Sequence, residues 1–194
     1  ILLEKLLPAV VAEKEAGVYS ACYKLGLFMV LFRTAYTLGI EPFFFSHAGK
    51  ENATQTYATV TKYFVIFGSL IQLVVIVTAD ILKQFVVPNP EYWEAMKVVP
   101  LIILANFFLG IYTNLSVWYK LIDKTHIGAW ISLAGAAVTL LLNFILIPVM
   151  ENFGHSGYMG SAIATIAAYA TMMLISYFMG SKAYPIPYDM KKIG

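Results

Sequence analysis

Arg33 sits well inside an apolar run, GVYSACYKLGLFMVLFRTAYTLGIEPFFFS, at residues 17–46. A helix rises about 1.5 Å per residue and needs roughly 20 mostly apolar residues to cross a bilayer, a length that residues 18–40 supply. A charge at that depth is costly, so it faces a protein interior or a wet cavity and marks a pathway for something charged. At about 100° per residue, Tyr19, Cys22, Gly26, Thr37 and Ile40 fall within roughly 40° of Arg33, with Tyr23 and Glu41 about 80° away. This stripe of small and hydrogen-bonding side chains suggests a helix face that looks into something other than lipid. The alternative is a brace, in which Arg33 pairs with a carboxylate of a neighbouring helix. Lys24 comes out on the opposite face, close enough to the start of the run for its stem to reach the headgroups.

The remaining polar side chains within apolar runs are uncharged. Gln72 shares a face with Gly68 in the second run, where an amide is more often a bond between helices than a ligand. Asn106, Gly110, Thr113 and Asn114 lie within roughly 80° of one another in the third run, a polar seam that either lines a cavity or meets a neighbouring helix. With Arg33, Thr37 and Glu41, the side chains Gln72, Asn106 and Asn114 make up the candidate substrate path. Cys22 is the single cysteine, which excludes an internal disulfide and a cysteine-based metal cluster. His47, His126 and His155 have no ligand-like spacing to acids, so neither a metal site, a catalytic residue nor a cofactor is assigned.

These side chains must be held by membrane helices. The chain has 194 residues, 60% of them hydrophobic and 12% charged, with a mean hydropathy of +0.74. Soluble domains average about a quarter charged residues, so the composition predicts an integral membrane protein; no nucleic-acid partner is expected. The expected fold is all-α, a polytopic transmembrane bundle of about five full spans plus the tail of another. The opening ILLEKLLPAV reads as that tail, VAEKEA at residues 11–16 as a loop, and residues 18–40 as the first span, kinking or stopping at Glu41-Pro42. Further spans are predicted at residues 63–79, 98–119, 127–150 and 159–179. Gly128, Ser132 and Ala136, and then Gly160, Ala164 and Ala168, recur every fourth residue and predict tight packing of the last two spans. Tyr92 and Trp93 suit a membrane–water boundary. If the first span runs inward, the inner loops and tail hold seven lysines (50, 62, 120, 124, 182, 191 and 192) against four outside (5, 14, 83 and 97), an asymmetry that favours this orientation.

Several stretches together resemble the polysaccharide flippases of the MATE/Wzx/MurJ superfamily, the Wzx-like O-antigen and capsule transporters in particular. They are AGVYSACYKLG at residues 16–26, EPFFFSHAGKE at 41–51, KVVP at 97–100, LLNFILIP at 141–148 and GYMGSAIATIAAY at 157–169. Their order and spacing carry the likeness; between residues 148 and 157 the loop ENFGHS is longer than the family's usual turn. The resemblance implies one bundle over residues 1–194, part of the C-terminal lobe of a larger two-lobed transporter whose remaining chain completes a central cavity. It also implies a bacterial inner-membrane location and a cargo of oligosaccharide linked to undecaprenyl diphosphate, moved between leaflets by alternating access for surface polysaccharide or lipopolysaccharide synthesis. Arg33 is then the candidate partner of the diphosphate, since a guanidinium donates two parallel hydrogen bonds to a phosphate.

An ion-coupled multidrug exporter of the same superfamily is the alternative within transport, and it calls for intramembrane carboxylates. Glu41 and Asp80 both fall near span ends. A membrane-embedded enzyme of glycan assembly calls for a base or paired carboxylates in a loop, and residues 88–94 offer acids with no histidine or nucleophile beside them. The expectation is therefore a transporter in contact with membrane lipids, not an enzyme.

Overall fold

A computed structural model of the chain describes residues 9–87 and 90–188. Among these the regular structure is helical throughout: α1 (Ala9–His47), α2 (Ala53–Val77), α3 (Ala79–Val86), a 3-10 segment (Pro90–Val98), α4 (Val99–Leu115), α5 (Val117–Leu121), α6 (His126–Asn152) and α7 (Gly157–Ala183). Among the described residues five stretches are long and apolar enough to cross a membrane: Glu15–His47, Ala53–Val77, Met96–Leu121, His126–Asn152 and Gly157–Ala183. The chain is thus a multi-pass membrane bundle, as its composition predicts.

The first helix is longer than the sequence suggests. Residues 11–16, expected to be a loop, belong to α1, because Ala, Glu and Lys are strong helix formers and no glycine or proline interrupts them before Gly17. The far end also runs past Pro42 to His47. Pro42 is exposed, and two residues later Phe44 is buried and edge-on to Tyr57, whose hydroxyl donates to the Phe44 carbonyl at 2.9 Å. That anchor outweighs the local cost of a proline in a helix. Most of the tail expected at residues 1–10 lies outside the described residues. The second span begins at Ala53, ten residues before the expected boundary, since the polar stretch there is itself helical.

The fourth helix is the centre of the bundle, touching α1, α2 and α7, while α6 packs chiefly on α7. Leu25 and Met29 of α1, Phe64 of α2 and Ile103 of α4 fill the core between the first three spans. Glycines make the approach close: a Cβ at Gly26 would meet Ile102 at 2.6 Å and one at Gly110 would meet Phe64 at 2.4 Å. The last two spans form the most extensive helix pair, and Gly160, Ala164 and Ala168 are buried. On α6 the buried positions are Ile131, Gly135, Asn143 and Ile147, whereas Ser132 and Ala136 are exposed. The small-residue repeat on α6 is therefore one position out of phase with the contact face. Asn143 reinforces that face by accepting a 2.7 Å hydrogen bond from Ser161.

The up-and-down course gives the bundle two ends. At one end the last turns of α1 and the first turns of α2 and α5 meet the segment at residues 184–188, where Ile186 packs with Phe44, Tyr57 and Val117. At the other, Tyr92 lies against Gly17, the Trp93 indole donates to the Val87 carbonyl at 3.0 Å, and Lys83 stands 5.0 Å from the Trp93 ring.

Candidate functional site

Arg33 is the chain's single arginine. The α1 backbone carries it to mid-depth, about 27 Å of helix rise from Glu15 and about 21 Å from His47. Its side chain is partly buried. The Nε is fully enclosed and has no hydrogen-bond partner, and among the described residues no carboxylate pairs with the guanidinium. The acids of the described spans stand toward the bundle's ends and are engaged there. Glu15 accepts from the Gly157 and Tyr158 amides, at 3.2 and 3.1 Å, Glu41 pairs with Lys120, and Asp80 pairs with Lys83. The positive end of the α7 dipole holds Glu15 in place and ties the start of α1 to the start of α7.

Beyond that tie, α1 and α7 touch only briefly. Tyrosines occupy the space between them. Tyr169 of α7 lies close enough to Arg33 for the cation's field to reach it, Tyr19 faces Thr165 and Tyr169, and the Tyr19 and Tyr23 rings are 6.3 Å apart. Tyr23 is 37% exposed. Tyr19 and Tyr23 lie about 21 and 15 Å of helix rise before Arg33, so of these rings only Tyr169 is near the cation.

The other residues of the predicted path are distributed differently. Thr37 donates to the Arg33 carbonyl at 2.8 Å, so its proton is committed to its own helix. Asn114 is buried, donates to Gly110 at 3.1 Å and accepts from the Tyr36 hydroxyl, joining α4 to α1. Asn106, also buried, donates to its own Ile102 carbonyl at 2.9 Å. Gln72 is half-buried on α2, in line with the buried face of that helix. Of the two readings of the α4 seam, the geometry is that of helix contact: Gly110 is filled by Phe64 and Asn114 by Tyr36. The structure thus groups Arg33, Thr37 and Glu41 along one helix, links Asn114 to that helix through Tyr36, and leaves Gln72 and Asn106 apart from Arg33.

Three participants were not picked out by the sequence. Tyr169 and Thr165 come from a helix more than 130 residues further on, and nothing in a linear pattern says which faces of α1 and α7 meet. Lys120 read only as a loop charge. Tyr36, by contrast, lies about 60° from Arg33 around α1 and was within reach of the same rotation.

On the opposite side of α4, a cleft of about 330 Å³ opens between α2, α4 and α7, lined by Val65, Phe108, Ile111, Met173 and Phe178 and edged by Tyr188. Its walls suit hydrocarbon and give a charged group no partner. No group of metal-ligating side chains gathers among the described residues. The chain matches no protein-family model, no curated protein and no solved structure.

Proposed function

We propose that this chain is part of a transporter that flips an oligosaccharide linked to undecaprenyl diphosphate from the inner to the outer leaflet of a bacterial cytoplasmic membrane, in the synthesis of a surface polysaccharide. The observation that carries the reading is Arg33: a guanidinium at mid-depth with no acid beside it and an unpartnered Nε. A scaffold cation at that depth needs a counter-charge of its own, whereas a cargo-binding cation has to be left without one until the cargo arrives. Tyr169 beside it, and Tyr19 and Tyr23 further along the same gap between α1 and α7, supply ring surfaces that a glycan can stack on, and the resemblance to polysaccharide flippases points the same way. In this reading no bond is made or broken; the chain binds cargo, excludes lipid from it and, with the remainder of the transporter, alternates which leaflet it faces.

The ion-coupled exporter has less behind it, because the two carboxylates it would use, Glu41 and Asp80, are both paired with lysines.

The test is Arg33→Ala in the full-length chain. Surface polysaccharide is expected to fall at least roughly tenfold, the size of a lost charge-assisted hydrogen bond, while the amount of protein in the membrane stays level. Arg33→Lys should retain part of the activity. Wild-type export from Arg33→Ala would overturn the reading, and loss of the protein itself would make Arg33 a brace.

A further inference from the structure

Arg33, Thr37 and Glu41 recur every fourth residue of α1, so one side of the helix carries a polar line about 12 Å long from the carboxylate to the guanidinium. At the C-terminal end of this line Glu41 is occupied by Lys120, which stands on α5 just beyond the break that Ser116 makes in the central helix. The two side chains are 40% and 27% exposed, respectively, and sit over a narrow crevice walled by Phe44, Phe45, Thr113 and Val117. An ion pair this open to its surroundings adds little to folding. It does keep a second cation, within one helical path of Arg33, covered by a movable acid.

We propose that Lys120 is the first anion-receiving site of the path, screened by Glu41 and passing its anion inward to Arg33; the inference rests on the transport reading above. A bare lysine at the mouth would collect any small anion. With a carboxylate already in place, a group gains the site only if it brings more negative charge and more acceptor oxygens than one carboxylate does. An oxyanion such as a diphosphate meets that condition. A uronate on the glycan meets it less well and remains the other source of the same chemistry. The residue types suit the sequence of events: a lysine is a point charge on a flexible stem that can swing between partners, and an arginine is a planar fork that holds what reaches it. Thr37, between them, has its proton committed to the helix, so it offers the anion no donor at which to stall.

The experiment uses the full-length chain in vesicles that contain polyprenyl diphosphate carrying a neutral glycan, or the same lipid with a uronate in the glycan. The readout is the rate at which the glycan becomes accessible to an impermeant reagent on the far side. Lys120→Gln should slow transfer roughly tenfold, with both cargoes if the diphosphate is the anion and with the uronate cargo alone if the sugar is. Glu41→Gln should transfer at least as fast as wild type and become sensitive to added inorganic phosphate. A simple brace predicts the opposite symmetry, equal losses from either partner, since each substitution breaks the same pair. Equal losses, or wild-type transfer by Lys120→Gln of known melting temperature, would overturn the proposal. Should Lys120→Gln fail to fold, the response of Glu41→Gln to phosphate decides alone: no sensitivity overturns it. If Arg33→Gln halts transfer and Lys120→Gln does not, the transport reading stands and only this relay falls. If the wild-type chain moves neither cargo, the transport reading itself fails.

Discussion

Single side chains decide how closely these helices approach, and two glycines separate packing from mere helix propensity. A Cβ on Gly160 would lie 2.8 Å from the Leu146 backbone carbonyl carbon and oxygen, whereas one on Gly39 would meet nothing within 4 Å. Backbone cannot swing aside as a side-chain tip can, so Gly160→Ala should destabilise by about 1–3 kcal/mol. Gly39→Ala should leave stability level or raise it by up to about 1 kcal/mol. Thermal unfolding of both variants in the same detergent checks the contrast, and a stable Gly160→Ala would refute the close approach. The Tyr36–Asn114 bond makes a second case. Tyr36→Phe keeps the ring against Phe64, 4.6 Å away between centroids, and removes only the hydroxyl that Asn114 accepts from. A loss of about 1 kcal/mol is expected, in the range found for hydrogen bonds between membrane helices. Much of this scale was legible in the sequence: that Gly160, Ala164 and Ala168 lie along one face follows from their spacing. What the spacing could not give was the partner face, since Ser132 and Ala136 share the repeat and are exposed.

Whole elements obey rules that the sequence states only in part. A run of apolar residues fixes the minimum length of a span, and a proline or a few charges near its ends suggest where it closes. In α1 both suggestions are overruled, by helix-forming Ala, Glu and Lys at one end and by the burial of Phe44 at the other. Glu15 shows why the extension matters. Reading as a loop residue, it instead sits on the first turn of α1's membrane span and is 8% exposed, where its carboxylate accepts two amides of the first turn of α7. Glu15→Gln keeps one acceptor oxygen and loses the charge that faces the helix dipole. It should destabilise by about 1–2 kcal/mol, measured by thermal unfolding, and more through loosening of the α1–α7 contact than through any change in helix content. An unchanged melting temperature would mean that the tie is incidental.

At the scale of the molecule, the alternation of five spans sorts the connections onto two faces. The turns at residues 48–52 and 122–125 and the segment at 184–188 share one face; residues 90–95 and 153–156 share the other. The orientation favoured by the lysine asymmetry, in which the first of these faces the cytoplasm, is open to a direct test. Single cysteines in place of Glu51 and Asp123, with Cys22 replaced, should therefore label only from the cytoplasmic side with an impermeant maleimide, and one in place of Phe153 only from outside. The reverse pattern would invert the orientation and, with it, the direction of the proposed path.

The sequence by itself determined an all-helical membrane bundle of about five full spans with a cation well inside the first of them. Span length, hydropathy and the position of Arg33 are local quantities, written in runs of about 20 residues. Only the tertiary structure decided what surrounds that cation. Which helices are neighbours, and which of their faces meet, depends on shape-matching between segments far apart in the chain. Gly26 admits Ile102, Glu15 seeks the amides of α7, and Glu41 is claimed by Lys120 and not by Arg33. An anionic cargo can be proposed for Arg33 because no carboxylate among the described residues pairs with it and its Nε is left without a partner.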